Sequence, residues 1–208
     1  MERARVRIGA SLSILLLLLL AVSIPVVAKP VVLEMAMLDS FDNPDAQKWA
    51  VYGSKFANAD YPQVAYVSAF PEALYGRFYT NADKLRALGV RSRWDRKGYN
   101  YIEVVPVAAG KDGKLAPSPI PIKGKASRLD LWIWGGNYNY YAEIHLMDFR
   151  GVPHTLYLGE LNFQGWRNLS VEIPLYIPQF VKWIPQERPL SVTKIVIWTR
   201  PDERVPLR

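Results

Sequence analysis

Short runs of alternating apolar and polar residues, broken by glycine and proline, dominate the chain after its first thirty residues. A period of two predicts strands with one face turned to a core. The richest block is RLDLWIWGGNYNYYAEIHLMDFRG, residues 128–151. Its first run, 127–134, puts Leu129, Leu131 and Ile133 on one face and Asp130, Trp132 and Trp134 on the other. Its second, 140–149, sets Ala142, Ile144 and Leu146 against Tyr141, Glu143, His145 and Met147. Gly135-Gly136-Asn137 between them reads as the tight turn of a hairpin.

The same pattern predicts strands at 31–37, 49–56, 90–94, 99–107, 155–161, 167–173 and 192–199. One or two helical turns are expected at 82–88, capped by Asn81 and ended by Gly89. Residues 109–125, with three glycines and three prolines, read as a long loop. Eight to ten strands without a long helix predict an all-β fold, an antiparallel β-sandwich.

The first 28 residues change the domain picture. Arg3, Arg5 and Arg7 precede an apolar run that includes six consecutive leucines, and Val26-Val27-Ala28 supplies a cleavage pattern. This is a signal segment for export, expected to be cut after Ala28, with an uncleaved anchor as the alternative. Residues 29–208 then form a single domain. Without the first 28 residues, 23 basic side chains face 18 acidic ones, a net charge of about +5. The charges are scattered, which argues against nucleic-acid binding. There is no cysteine, so stability rests on the core.

No chemistry stands out. Glu143, His145 and Asp148 resemble the start of a metal site, but zinc needs three or four converging ligands and nothing completes the set. There is no G-x-S-x-G motif. Carboxylate pairs such as Glu143 with Glu160, or Asp130 with Glu103, are ordinary on exposed strands. No motif asks for a cofactor. The aromatics remain: Trp132, Trp134, Tyr138, Tyr140 and Tyr141 suit either an assembly interface or a sugar-stacking surface, and about half are expected in the core. The two function classes are a structural assembly subunit and an exported carbohydrate-binding module.

The aromatic block resembles the spirochaete flagellar filament outer layer proteins, the FlaA family. So do LDSFDNPDAQKWAVYGSKFAN (38–58), LGVRSRWDRKGYNYIEVVP (88–106), LGELNFQGWRNLSVEIPLYIPQ (158–179) and KIVIWTRPDE (194–203), in the family's order. The resemblance implies a jelly-roll sandwich like that of galactose-binding and carbohydrate-binding modules. It implies a non-enzymatic sheath subunit of the periplasmic flagellum, contributing to motility. The implied partners are flagellin-like core subunits, other copies or paralogues of the sheath protein, and glycan on the core. The resemblance offers no catalytic motif.

Overall fold

The computed structural model describes residues 34–202, apart from 44, 46, 77–79 and 182–183. The signal segment expected at 1–28 lies outside the described residues. The chain divides into two units, Met1–Ala36 and Met37–Arg208, and every strand among the described residues belongs to the second.

Five long strands build the main sheet: β1 (Lys48–Gly53), β4 (Tyr101–Ala109), β8 (Tyr141–Met147), β9 (Pro153–Glu160) and β13 (Ser191–Trp198). Their order is β1-β4-β13-β8-β9, antiparallel throughout. A second layer contains the ribbon of β7 (Arg128–Gly136) and β10 (Gln164–Glu172), paired over nine residues from Arg128↔Glu172 to Gly136↔Gln164. Two smaller pairs stand apart, β2 (Gln63–Val67) with β3 (Ala87–Arg91) and β11 (Phe180–Val181) with β12 (Ile184–Glu187).

The core lies between main sheet and ribbon. Leu129 and Leu131 of β7 and Val171 of β10 meet Ile144 and Leu146 of β8, Leu156 of β9, and Val192 and Ile195 of β13. A second cluster joins Ala142, Leu158, Leu161, Phe163 and Leu169 to Ile133. Leu146 and Ala142 are fully buried. The inward positions of β7 and β8 are those that the alternation predicts. Chain segments cross repeatedly between layers, from β7 to β8 and from β9 to β10. This is the antiparallel β-sandwich expected from the pattern, with the jelly-roll-like architecture that the resemblance implied.

Four local expectations fail. Gly135-Gly136-Asn137 does not turn a hairpin. β7 pairs with β10, while β8 pairs with β9 and β13, so the glycines open a crossover between layers. Gly135 is demanded there by contact, since a Cβ on it would sit 2.5 Å from the Phe163 carbonyl oxygen and 2.7 Å from the ring. At 82–88 only a single 3-10 turn forms, Ala82–Lys84, because Ala87–Arg91 is drawn into pairing with β2. The long loop contains two short strands, β5 (Leu115–Pro117) on β4 and β6 (Ile120–Pro121) on β13. Of the strand expected at 31–37, residues 31–33 lie outside the described residues and 34–37 are not in a strand.

Candidate assembly and ligand-contact surfaces

The five aromatic residues singled out in the sequence do not make one patch. Because β7 and β8 belong to opposite layers, their outward faces look away from each other. Trp132 and Trp134 lie on the outside of the ribbon. Tyr141 lies on the outside of the main sheet. Tyr138 and Tyr140 occupy the crossover between them.

Tyr140 is therefore corrected from a surface residue to an anchor. It packs against both core clusters and meets the buried Trp94 edge-on, with ring centroids 6.2 Å apart. Tyr138 stacks on it, 5.2 Å away at 16°. A Cβ at Gly136 would lie 3.1 Å from the Tyr138 ring and 3.4 Å from that of Trp134. Trp94, Tyr140 and Tyr138 thus form a chain of rings from the core into the crossover.

On that face, register sets Trp134 opposite Trp166, Trp132 opposite Asn168, and Asp130 opposite Ser170. Paired residues share a face. Trp134 is 56% exposed, and Trp132 and Trp166 are half-buried. Asn168 Nδ2 donates to Asp130 Oδ1 over 3.2 Å. Trp166 was missed from sequence, because only the register places it beside Trp134.

The main sheet's outer face is denser. Tyr101, Trp198, Tyr141 and Glu160 stand in one row across β4, β13, β8 and β9. Tyr141 stacks on Trp198 at 13°, and Tyr101 packs on the other side at 5.0 Å. The Arg200 guanidinium sits 4.9 Å above Tyr141 and donates to Glu160 over 2.5 Å. Trp198 Nε1 donates to Glu143 over 2.9 Å, and the His145 ring lies 3.2 Å from the same carboxylate oxygen. Lys194 pairs with Glu103 at 2.5 Å. Tyr157, which donates to Glu160, is half-exposed, as are Tyr52 and Tyr99.

The charges here tune each other. Burial first, then the hydrogen bond to the Glu160 carboxylate and its charge, pushes the Tyr157 phenol up to about 12. Burial and the charge of Glu143 also raise Tyr141, with Arg200 opposing. Both phenols are neutral at physiological pH, and Tyr157 keeps the proton that it donates to Glu160.

Asp148 does not join Glu143 and His145. It has the inward parity of Leu146 and is buried. Its carboxylate accepts the Arg150 and Val152 amides at 2.8 and 3.1 Å, and lies 3.1 Å from the His154 ring and 3.3 Å from Arg150 Nη2. Burial raises its pKa, but these hydrogen bonds together prevail and hold it down at about 2. Among the described residues no three acidic or histidine side chains converge on a metal position. Asp130 and Glu103 stand on opposite outer faces. Glu143 and Glu160 share a face, each held by the partners just given.

Fold and surfaces together define a jelly-roll-like sandwich presenting aromatic side chains on both outer faces. The chain belongs to the family of the flagellar filament outer layer protein FlaA, whose pattern it matches over residues 47–196. It is 33% identical over 92 residues to a flagellar filament outer layer-like protein of Brachyspira hyodysenteriae. That stretch is 44% of this chain and 38% of the relative. Among solved structures, it is similar to TmCBM61 in complex with β-1,4-galactotriose, with a TM-score of 0.38 and 13% identity over 75% of this chain and 81% of that one.

Proposed function

We propose that this protein is a structural subunit of the outer layer that sheathes the periplasmic flagellar filament. It coats a core of flagellin-like subunits and contributes to motility, without catalysing a reaction. Residues 1–28 direct its export. Family membership supports the filament, and one structural observation carries the subunit role: a single sandwich bears two separate aromatic faces on opposite sides. A coat subunit needs one surface for the core and another for its neighbours. Different surfaces that bind head to tail without closing produce open arrays.

The main-sheet face suits a protein partner. Trp198 at the centre of its stacked rings is already hydrogen-bonded to Glu143, and ion pairs frame the row, the composition of a recognition surface with an aromatic centre. The test replaces three half-exposed side chains there, Tyr52→Ser, Tyr99→Ser and Tyr157→Ser, and purifies periplasmic filaments. The wild-type protein should co-purify with filaments, and the triple variant should be exported, folded and absent from them. Absence of the wild-type protein from filaments would overturn the outer-layer role. Normal incorporation of the variant would remove this face from the contact.

A further inference from the structure

The outer face of the β7–β10 ribbon differs in kind from that of the main sheet. Among the described residues, none of its three indoles, Trp132, Trp134 and Trp166, stacks on another ring. On the main sheet Trp198 is sandwiched between Tyr101 and Tyr141. Trp134 is more than half exposed, and Trp132 and Trp166 are half-buried beside it without a ring partner among the described residues. Trp132 and Trp134 are two residues apart on one strand, roughly 7 Å along it, and Trp166 stands directly across from Trp134.

A polar row runs beside the indoles. Register brings Gln164, Asn168, Ser170 and Asp130 to the same face. These groups supply amide donors, amide acceptors, a hydroxyl and a carboxylate, the set that meets alternating hydroxyl groups. Among the described residues of the ribbon, both cations have partners of their own. Arg128 at the far end is 3.4 Å from Glu172, and Arg167 lies on the opposite parity, 4.2 Å over the Phe163 ring. A ligand carrying phosphate, sulfate or uronic acid groups would meet the Asp130 and Glu172 carboxylates, with Arg128 already paired to Glu172.

We infer that this face is a binding platform for a neutral oligosaccharide. The apolar C–H faces of its sugar rings lie on Trp132, Trp134 and Trp166, and its hydroxyls bond to Asn168, Asp130 and Gln164. Apolar contact supplies area, and a few placed polar groups fix orientation, as in small-molecule sites generally. Position on the ribbon, away from the main-sheet face, lets the subunit hold sugar and a protein partner at once.

The experiment uses the folded exported protein and a set of neutral tetrasaccharides, namely chitotetraose, cellotetraose and β-1,4-galactotetraose, with oligogalacturonate of equal length as the acidic counterpart. Binding is read by calorimetry and by the blue shift of tryptophan emission. At least one neutral sugar should bind saturably. Trp134→Ala should weaken it at least tenfold and Trp132→Ala similarly, whereas Tyr157→Ala on the other face should leave it unchanged. Circular dichroism and an unchanged melting temperature establish that each variant is folded. Failure of every neutral sugar to bind, or equal binding of the acidic one, would overturn the inference. A second arm identifies the source of the sugar. Binding to purified core filaments that periodate treatment abolishes assigns it to the filament, and binding to cell-wall sacculi that muramidase digestion abolishes assigns it to the wall. Sugar binding is measured on isolated protein, so its failure is distinct from failure to incorporate into filaments.

Discussion

Gly135→Ala is the sharpest single test of the crossover that separates the two aromatic faces. The new Cβ would lie 2.5 Å from the Phe163 carbonyl oxygen and 2.7 Å from two atoms of its ring. The carbonyl cannot swing aside cheaply, because it also accepts the Asn137 amide at 2.8 Å. Phe163 is itself buried in the second core cluster. Overpacking of this kind costs about 1–3 kcal/mol, and distortion of the Asn137 bond adds about 1 kcal/mol. The expected destabilisation is about 2–4 kcal/mol. For a domain of this size, that lowers the melting temperature by about 5–15 °C. The control is the neighbouring Gly136→Ala, whose Cβ would meet only the rings of Tyr138 and Trp134, at 3.1 and 3.4 Å. Those side chains rotate at little cost, and the substitution should stay within about 0.5 kcal/mol of wild type. Thermal unfolding by circular dichroism decides. If Gly135→Ala melts within about 2 °C of wild type, the close approach of Phe163 does not constrain the crossover as described.

Asp148 gives a pH-dependent prediction. Its folded pKa, about 2, lies below the ordinary carboxylate value, so its contribution is present above about pH 4 and is lost as the pH falls towards 2. Asp148→Asn should remove about 2 kcal/mol at pH 7 and flatten the stability profile between those limits; an unchanged profile would show that the carboxylate does not hold the β8–β9 turn. Gln179→Ala should cost about 2–4 kcal/mol, because the buried Gln179 amide accepts the Ala126 N–H at 2.9 Å and donates to its carbonyl at 2.8 Å. Denaturant unfolding measures it, and a loss below about 0.5 kcal/mol would mean that water replaces both bonds.

The sequence announced strands well where a long alternating run faced a core, as at Leu129, Leu131 and Ile133, or Ala142, Ile144 and Leu146. Period two depends on local geometry alone, so those faces were legible. Partners were not. Nothing in Gly135-Gly136-Asn137 distinguishes a hairpin from a crossover, since both need a compact reversal, and the difference lies in Phe163 and Trp166 far along the chain. β5 and β6 escaped notice because two or three residues with prolines carry no period. At 82–88, pairing with β2 outweighed a weak helical preference. The surfaces followed the same division. Trp132, Trp134 and Tyr141 were identifiable as outward residues. The row Tyr101, Trp198, Tyr141 and Glu160 depends on three long-range registers, so no short segment reveals it.

The crossover has a mechanical consequence. With the ribbon and the main sheet as its two proposed contact faces, the sandwich would transmit a bending load through the space between layers. That direction is perpendicular to the hydrogen-bond ladders. Resistance to separation therefore falls to apolar contacts such as Leu129 and Leu131 against Ile144 and Leu146, together with the covalent strap of 137–140. Tyr140, seated against Trp94, acts as a rivet at the end of that strap. The compliance of such a particle is set by its oily seam, so softening that seam would alter how stiffly it carries force without touching either contact surface.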